Sequence, residues 1–66
     1  MTTGIVCDDY KLAKFEKELR LNGFRHYTVH PFTEKTVTIK IIINDRQLKD
    51  IHKICQYVET FFKQSN

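Results

Sequence analysis

An alternating run near the middle of the chain constrains the fold most. Residues 36–43 read Thr-Val-Thr-Ile-Lys-Ile-Ile-Ile, with an apolar side chain at every second position from Val37 onward. Side chains alternate between the two faces of a strand, so Val37, Ile39, Ile41 and Ile43 share one face. Most of these residues are β-branched, which suits a pleated sheet. The run therefore predicts a strand with one buried face.

A second alternating segment precedes this run at residues 24–30. Tyr27 and Val29 fall on one face, and the other face carries His26, Thr28 and His30. Pro31 lacks a backbone N–H and ends the strand, so residues 30–35 form the connection. The two segments predict an antiparallel hairpin over residues 24–43. Because an isolated hairpin is marginal in water, its apolar face needs a cover.

The segment before the hairpin has the pattern of an amphipathic helix. Its apolar positions recur at helical spacing: Leu12, Phe15 and Leu19. Asp8 or Asp9 is placed to act as the N-cap. Gly23 stands where a left-handed residue ends a helix, and Phe24 then packs back onto the last turn. The pattern predicts a helix over residues 10–22.

The segment after the hairpin predicts a second helix over residues 44–63. Asn44 and Gln47 form a variant of the capping box, and Ile43 and Leu48 form a hydrophobic staple around it. The apolar seam that follows consists of Leu48, Ile51, Cys55, Val58 and Phe62, widened by Ile54 and Phe61. Such a broad stripe is expected to cover a sheet.

These elements predict one α+β domain over residues 1–66: helix, antiparallel β-hairpin and helix, with both helices on one face of the sheet. The short apolar stretch 4–7 has two interpretations. It is either a third strand, parallel to one hairpin strand through a helical crossover, which gives the order βαββα, or an ordered N-terminal arm.

Composition and cysteine usage predict a reduced, cytoplasmic protein. Apolar runs are too short to cross a membrane, and the N-terminal residues lack the charged and apolar regions of a secretion signal. The two cysteines do not form a disulfide framework. The net charge of +3 is concentrated on the hairpin and is smaller than a dedicated nucleic-acid binder carries.

Candidate metal ligands in the sequence do not make a convincing site. His26 and His30 are four residues apart on a strand, which separates them by about 13 Å, too far for one ion. His52 and Cys55 have a helical spacing that suits a shared metal, and Cys7 is an available third ligand. Cys55, however, lies in the apolar seam, where a free cysteine behaves as a small hydrophobe. We therefore expect no metal and no cofactor.

Ile42 is the residue that points most directly to a partner. It falls on the polar face of an otherwise regular strand, beside Thr38 and Lys40. Phe32 lies in the hairpin connection, where it either folds back onto the core, which is the favoured interpretation, or is available to a partner. No nucleophile–base arrangement is visible. The sequence thus predicts a non-catalytic module that binds protein. It is either a homodimer or a small regulator or inhibitor from a mobile element. The candidate contact residues are Phe32, Thr38, Lys40 and Ile42.

Nucleic-acid binding through the basic hairpin is the main alternative. The candidate contacts are Arg25, His26, His30, Lys35 and Lys40, with Lys49 and Lys53 adding phosphate contacts.

A third hypothesis comes from a family resemblance. The helix ending Asn22-Gly23-Phe24, followed by strands and a helix, resembles HicA-type toxins, which have a double-stranded-RNA-binding-like fold. The resemblance covers most of the chain, rests on Gly23-Phe24 and the order of the elements, and implies RNA cleavage. Neither His26 nor His30 has the context of the family's histidine. The Gly-Ser-His stretch of that family is absent, so the chain is not assigned to it.

Overall fold

The computed structural model describes residues 1–64 and has the predicted α+β architecture. Two single turns of 3₁₀ helix precede the α-helices. In chain order the elements are β1 (Thr2–Asp8), a 3₁₀ turn (Asp9–Lys11), α1 (Leu12–Leu21), β2 (Tyr27–Pro31), β3 (Thr36–Ile42), a second 3₁₀ turn (Asp45–Gln47) and α2 (Leu48–Gln64).

The sheet has three strands in the order β1-β3-β2, and both pairings are antiparallel. Ile39 stands at its centre, opposite Ile5 of β1 and Val29 of β2. Of the two interpretations of residues 4–7, the strand is therefore confirmed, and it extends beyond that stretch. It runs parallel to β2, as a helical crossover requires, but β3 lies between the two strands and pairs with both.

Both helices cover one face of the sheet, because only that face carries a continuous set of large apolar side chains. The buried core combines the inner positions of the strands with one stripe of each helix: Ile5, Cys7, Phe15, Leu19, Phe24, Ile39, Ile41, Ile43, Ile51, Ile54 and Val58. Helix α1 is tied to β2, since the Tyr27 hydroxyl donates to Glu16 Oε2 at 3.1 Å. Every apolar residue of the β3 alternation is at least half-buried except Ile42.

The end of α1 has the predicted geometry. The Phe24 N–H donates to the Leu19 carbonyl at 2.8 Å, and the Gly23 N–H donates to the Arg20 carbonyl at 3.1 Å. These are the two bonds of a Schellman motif, and Gly23 has the left-handed φ of +85° that the motif requires. Phe24 is buried next to this turn. It serves the helix ending, and the first hairpin strand consequently begins at Tyr27, not at Phe24 as predicted.

Gly23→Ala is expected to lower the free energy of unfolding by about 1 kcal/mol, because a Cβ is strained at positive φ even where space is open. Gly4→Ala is the matched control. Gly4 has no positive φ, and an added Cβ would meet Thr38 Cγ2 at an ordinary 3.7 Å. Thermal unfolding followed by circular dichroism measures both. An unchanged midpoint for Gly23→Ala would contradict the Schellman ending.

The N-termini of the two helices are capped differently: the predicted cap is present at α2 and absent at the first helix. At α2 the capping box is complete: Asn44 N–H donates to Gln47 Oε1 at 2.9 Å, and Gln47 N–H donates to Asn44 Oδ1 at 3.1 Å. At the first helix the predicted cap is wrong. Asp8 has the N-cap position but makes no side-chain cap bond. Its carboxylate instead lies 3.7 Å from Lys11 Nζ.

Candidate protein-interaction surface

The second face of the sheet has no helix over it within residues 1–64, and we call it the open face. Strand alternation and the two pairing registers determine its members. They are Thr2, Gly4, Val6 and Asp8 of β1, Thr28 and His30 of β2, and Thr36, Thr38, Lys40 and Ile42 of β3. Threonines dominate this set, and the two large aliphatic side chains among them are Val6 and Ile42.

Ile42 lies on the open face, as the sequence predicts, with 68% of its surface exposed. Its neighbours along the strand, Ile41 and Ile43, are both buried on the opposite face. The Ile42 N–H donates to the His26 carbonyl at 3.3 Å, so the backbone there is held in the sheet. Val6 on the neighbouring strand is 56% exposed on the same face. An ordered strand thus presents an apolar side chain where folding does not use it.

A shallow groove of about 460 Å³ runs beside Ile42. It lies where the chain enters β2, and its lining combines basic, hydroxyl and apolar side chains: Thr2, Arg25, His26, Tyr27, Thr28, Lys40 and Ile42. The structure therefore brings three of the predicted basic residues, Arg25, His26 and Lys40, together around one apolar residue. The groove belongs to the open face, with Arg25 and His26 at its rim.

The other predicted basic residues lie apart from this groove. Lys49 and Lys53 are exposed on α2, in the helical layer on the opposite side of the sheet. Lys53 borders a separate shallow depression with the acidic side chains of Glu18 and Asp50. Lys35 lies in the hairpin turn, where its carbonyl accepts the Asp9 N–H at 2.8 Å. The seven predicted nucleic-acid contacts thus do not form one surface.

His30 is also on the open face, but it is two residues beyond Thr28 along β2 and does not line the groove. Its Nε2 lies 2.9 Å from Thr28 Oγ1, so the two side chains share a hydrogen bond. Thr38, the pairing partner of His30, is half-buried. These residues make the polar part of the open face.

Phe32 does not fold back onto the core, and that prediction is wrong. Its side chain is 64% exposed in the hairpin turn. The turn is short and internally bonded: the N–H groups of Phe32 and Thr33 both donate to the Thr36 carbonyl, at 3.1 and 3.2 Å. This bonding holds the backbone around Phe32 at the end of the sheet, where the side chain does not pack against the core.

The two cysteines are free thiols. Cys7 is buried on the inner face of β1, and Cys55 is half-buried on α2. Burial raises the pKa of both thiols, and the nearby Glu59 carboxylate adds to the rise in each. His52 is exposed. No cluster of three or more His, Cys, Asp or Glu side chains suited to a metal occurs in residues 1–64.

Sequence reasoning missed a cluster of aromatic and lysine side chains between the helices. Lys14 Nζ lies 4.4 Å from the centre of the Phe61 ring, and Lys11 Nζ lies 5.7 Å from that of Phe62. Lys11 also binds Glu59 at 3.1 Å. These cation–π and ionic contacts already engage the aromatic rings. In the sequence, these contacts are indicated by lysines and aromatic residues at helical spacing. Recognising them requires knowing which sides of the helices face each other.

No helix within residues 1–64 combines the length and apolar character needed to cross a bilayer. Comparison with protein-family models, with curated proteins and with solved structures finds no match for this chain.

Proposed function

We propose that the protein is a small non-catalytic interaction module that binds protein, a second copy of itself or a foreign partner, through the open face of its sheet. One observation carries the proposal: Ile42, the last residue of the ordered and otherwise regular strand β3, is 68% exposed on the open face. A domain of 66 residues buries only about 60% of its unfolded surface, so a large aliphatic residue withheld from the core costs it stability. Binding of a partner to this exposed side chain would offset the lost stability.

The composition of the open face also suits protein binding. Ile42 and Val6 supply two exposed apolar positions, separated by four residues along the sheet, with threonines and Lys40 beside them. Interfaces between proteins commonly combine apolar contacts with polar groups in this way. The flank of α2 that faces α1 is less suitable, because Lys14 already lies over its Tyr57 and Phe61 rings.

Light scattering on the purified protein tests the proposal through its self-association. We expect a mass above that of the 7.9 kDa chain that hardly changes between low and high salt, because apolar contacts are not screened by ions. Ile42→Asp is expected to lower this mass, since it replaces the exposed apolar side chain with a charge.

Leu21→Asp is the matched control for this experiment. Leu21 is 70% exposed, as much as Ile42, but it lies at the end of α1 on the helical side. The control should keep the mass of the wild type. Equal dissociation by the two variants, or dissociation of the wild type by salt alone, would contradict an interface at the open face. A wild-type protein that is monomeric throughout would leave only a foreign partner.

Nucleic-acid binding is the second candidate, and the groove favours it by bringing Arg25, His26 and Lys40 together. Contacts to phosphates release counterions, so such binding weakens steeply as salt increases. Fluorescence anisotropy of a labelled RNA oligonucleotide at two salt concentrations distinguishes the candidates. Affinity that is high in low salt and collapses in high salt would favour nucleic acid.

RNA cleavage and a cytoplasmic location stay predictions. An RNA-cleavage assay of the wild type against His26→Ala and His30→Ala tests the enzymatic hypothesis. Absence of cleavage by the wild type would reject it.

A further inference from the structure

The backbone of β1 has one side that no strand within residues 1–64 uses. Met1 and Ile43 exchange both backbone hydrogen bonds, each 2.8 Å long. Hydrogen-bonded and non-bonded pairs alternate along an antiparallel ladder, so the odd-numbered residues of β1 bond to β3. The N–H and C=O groups of Thr2, Gly4, Val6 and Asp8 therefore point away from the sheet. They form a regular edge along a strand of seven residues.

The opposite edge of the sheet is protected in a way that β1 is not. The Ile42 N–H donates to the His26 carbonyl, so even-numbered residues of β2 bond to β3 and odd-numbered ones point outward. One of these outward residues is Pro31, which has no N–H to offer. β2 is also shorter, with five residues. Proteins commonly blunt edge strands with proline, lysine or short length, and β1 has none of these features.

We propose that β1 pairs with β1 of a second copy of this chain, so that the two sheets join into one continuous antiparallel sheet of six strands. This inference goes beyond the proposed function: it names a second copy as a partner and places that contact on the edge of β1, which leaves the open face uncovered. Pairing about a two-fold axis at Ile5 places Gly4 opposite Val6 of the second copy and Thr2 opposite Asp8 of the second copy. All seven residues of β1 are then paired, and side chains of the open face stay on one side of the joined sheet.

The outer flank of α2 agrees with the same two-fold axis. Its other flank faces α1, since Lys14 lies over Tyr57 and Phe61. The outer flank lies on the β1 side, because Lys11, just after β1, binds Glu59 at 3.1 Å and Cys55 packs against the core that contains Cys7. Two copies of β1 side by side would bring the outer flanks of the two α2 helices towards each other.

The side chains on this flank are complementary to themselves in an antiparallel arrangement. Leu48, Cys55 and Phe62 are half-buried and recur every seven residues. With Cys55 at the axis, Leu48 faces Phe62 of the second copy. His52 then comes beside Glu59 of the second copy, a carboxylate that Lys11 binds within its own chain. Apolar side chains thus meet apolar ones, and a basic group meets an acidic one.

Val6→Pro tests the inference through the backbone. The Val6 N–H points away from β3, so proline there removes an edge donor and leaves the β1–β3 ladder intact. We expect light scattering to show twice the 7.9 kDa chain mass for the wild type and a single chain mass for Val6→Pro. Val6→Thr keeps the N–H and a β-branched side chain, and it should remain a dimer.

Val29→Pro is the control on the other edge. Val29 also directs its N–H out of the sheet, from β2, so the same substitution there should leave the dimer intact. Amide hydrogen exchange of the wild type provides a second measurement that does not depend on the variants folding. The Gly4 and Val6 amides should be protected at high protein concentration and exchange rapidly on dilution.

A monomeric wild type, or a Val6→Pro variant that still dimerises, would overturn the edge pairing. Dissociation by Ile42→Asp but not by Val6→Pro would support the open face and reject the edge. Dissociation by Val6→Pro but not by Ile42→Asp would support the edge and reject the open face as the contact.

Discussion

Ile41→Ala is expected to lower the free energy of unfolding by about 2–5 kcal/mol, the usual effect of removing a fully buried isoleucine side chain. Ile41 has no exposed surface and lies on β3, the central strand, in contact with the helical layer. A loss of this size is a large part of the total stability of a small domain. Denaturant unfolding measures it. Ile41→Val, expected to cost about 0.5–1.5 kcal/mol, gives a graded value if the alanine variant does not fold.

Ile42→Ala is the control for Ile41→Ala, because the same substitution is made one residue further along the same strand. Its side chain is on the open face, so the free energy of unfolding should change by no more than about 0.5 kcal/mol. The comparison is made on dilute protein, since dimerisation would make apparent stability depend on concentration. Equal losses for the two variants would show that both faces of the sheet are covered within one chain.

Leu19→Ala is expected to have a similarly large effect, again about 2–5 kcal/mol. The Leu19 side chain is fully buried, and its residue also accepts the backbone bond that ends α1. Truncation leaves a cavity between the helix and the sheet, while the backbone bond itself is retained. For a domain of this size the loss corresponds to a melting point lowered by roughly 8–40 °C, at about 4–8 °C per kcal/mol.

Leu21→Ala provides the comparison on the same helix. Leu21 is 70% exposed, and alanine has a slightly better helix propensity than leucine. The melting point should therefore stay within a few degrees of the wild type. A large loss in Leu21→Ala together with a small one in Leu19→Ala would mean that the apolar stripe of α1 has been assigned to the wrong side.

The sequence determined the fold wherever a pattern is local. The β3 alternation, the Schellman ending at Gly23 and the capping box at Asn44 each involve residues a few positions apart, and the structure has all three. Two nearby details were wrong. Phe24 serves the end of α1 rather than the hairpin, and Asp8 contacts Lys11 rather than capping a helix.

Features that depend on distant pairing could not be predicted from local patterns. The stretch at residues 4–7 is too short to show whether it is a strand, and its pairing with the centre of β3 follows only from the complete sheet. The unused edge of β1 and the exposure of Val6 depend on that pairing. Ile42 was found because it breaks a regular alternation. The groove beside Ile42 could not be predicted, because it forms only where the start of β2 and the end of β3 come together in the folded sheet.

A dilution series of ¹H–¹⁵N correlation spectra tests most directly whether the uncovered side of the sheet is the binding surface. Each backbone amide reports its own surroundings as the protein passes from associated to monomeric. We predict concentration-dependent shifts at Thr38, Lys40 and Ile42 and along β1, with little change at exposed amides of α1 such as Leu21. Shifts confined to the two helices, or spectra that do not depend on concentration, would contradict this account.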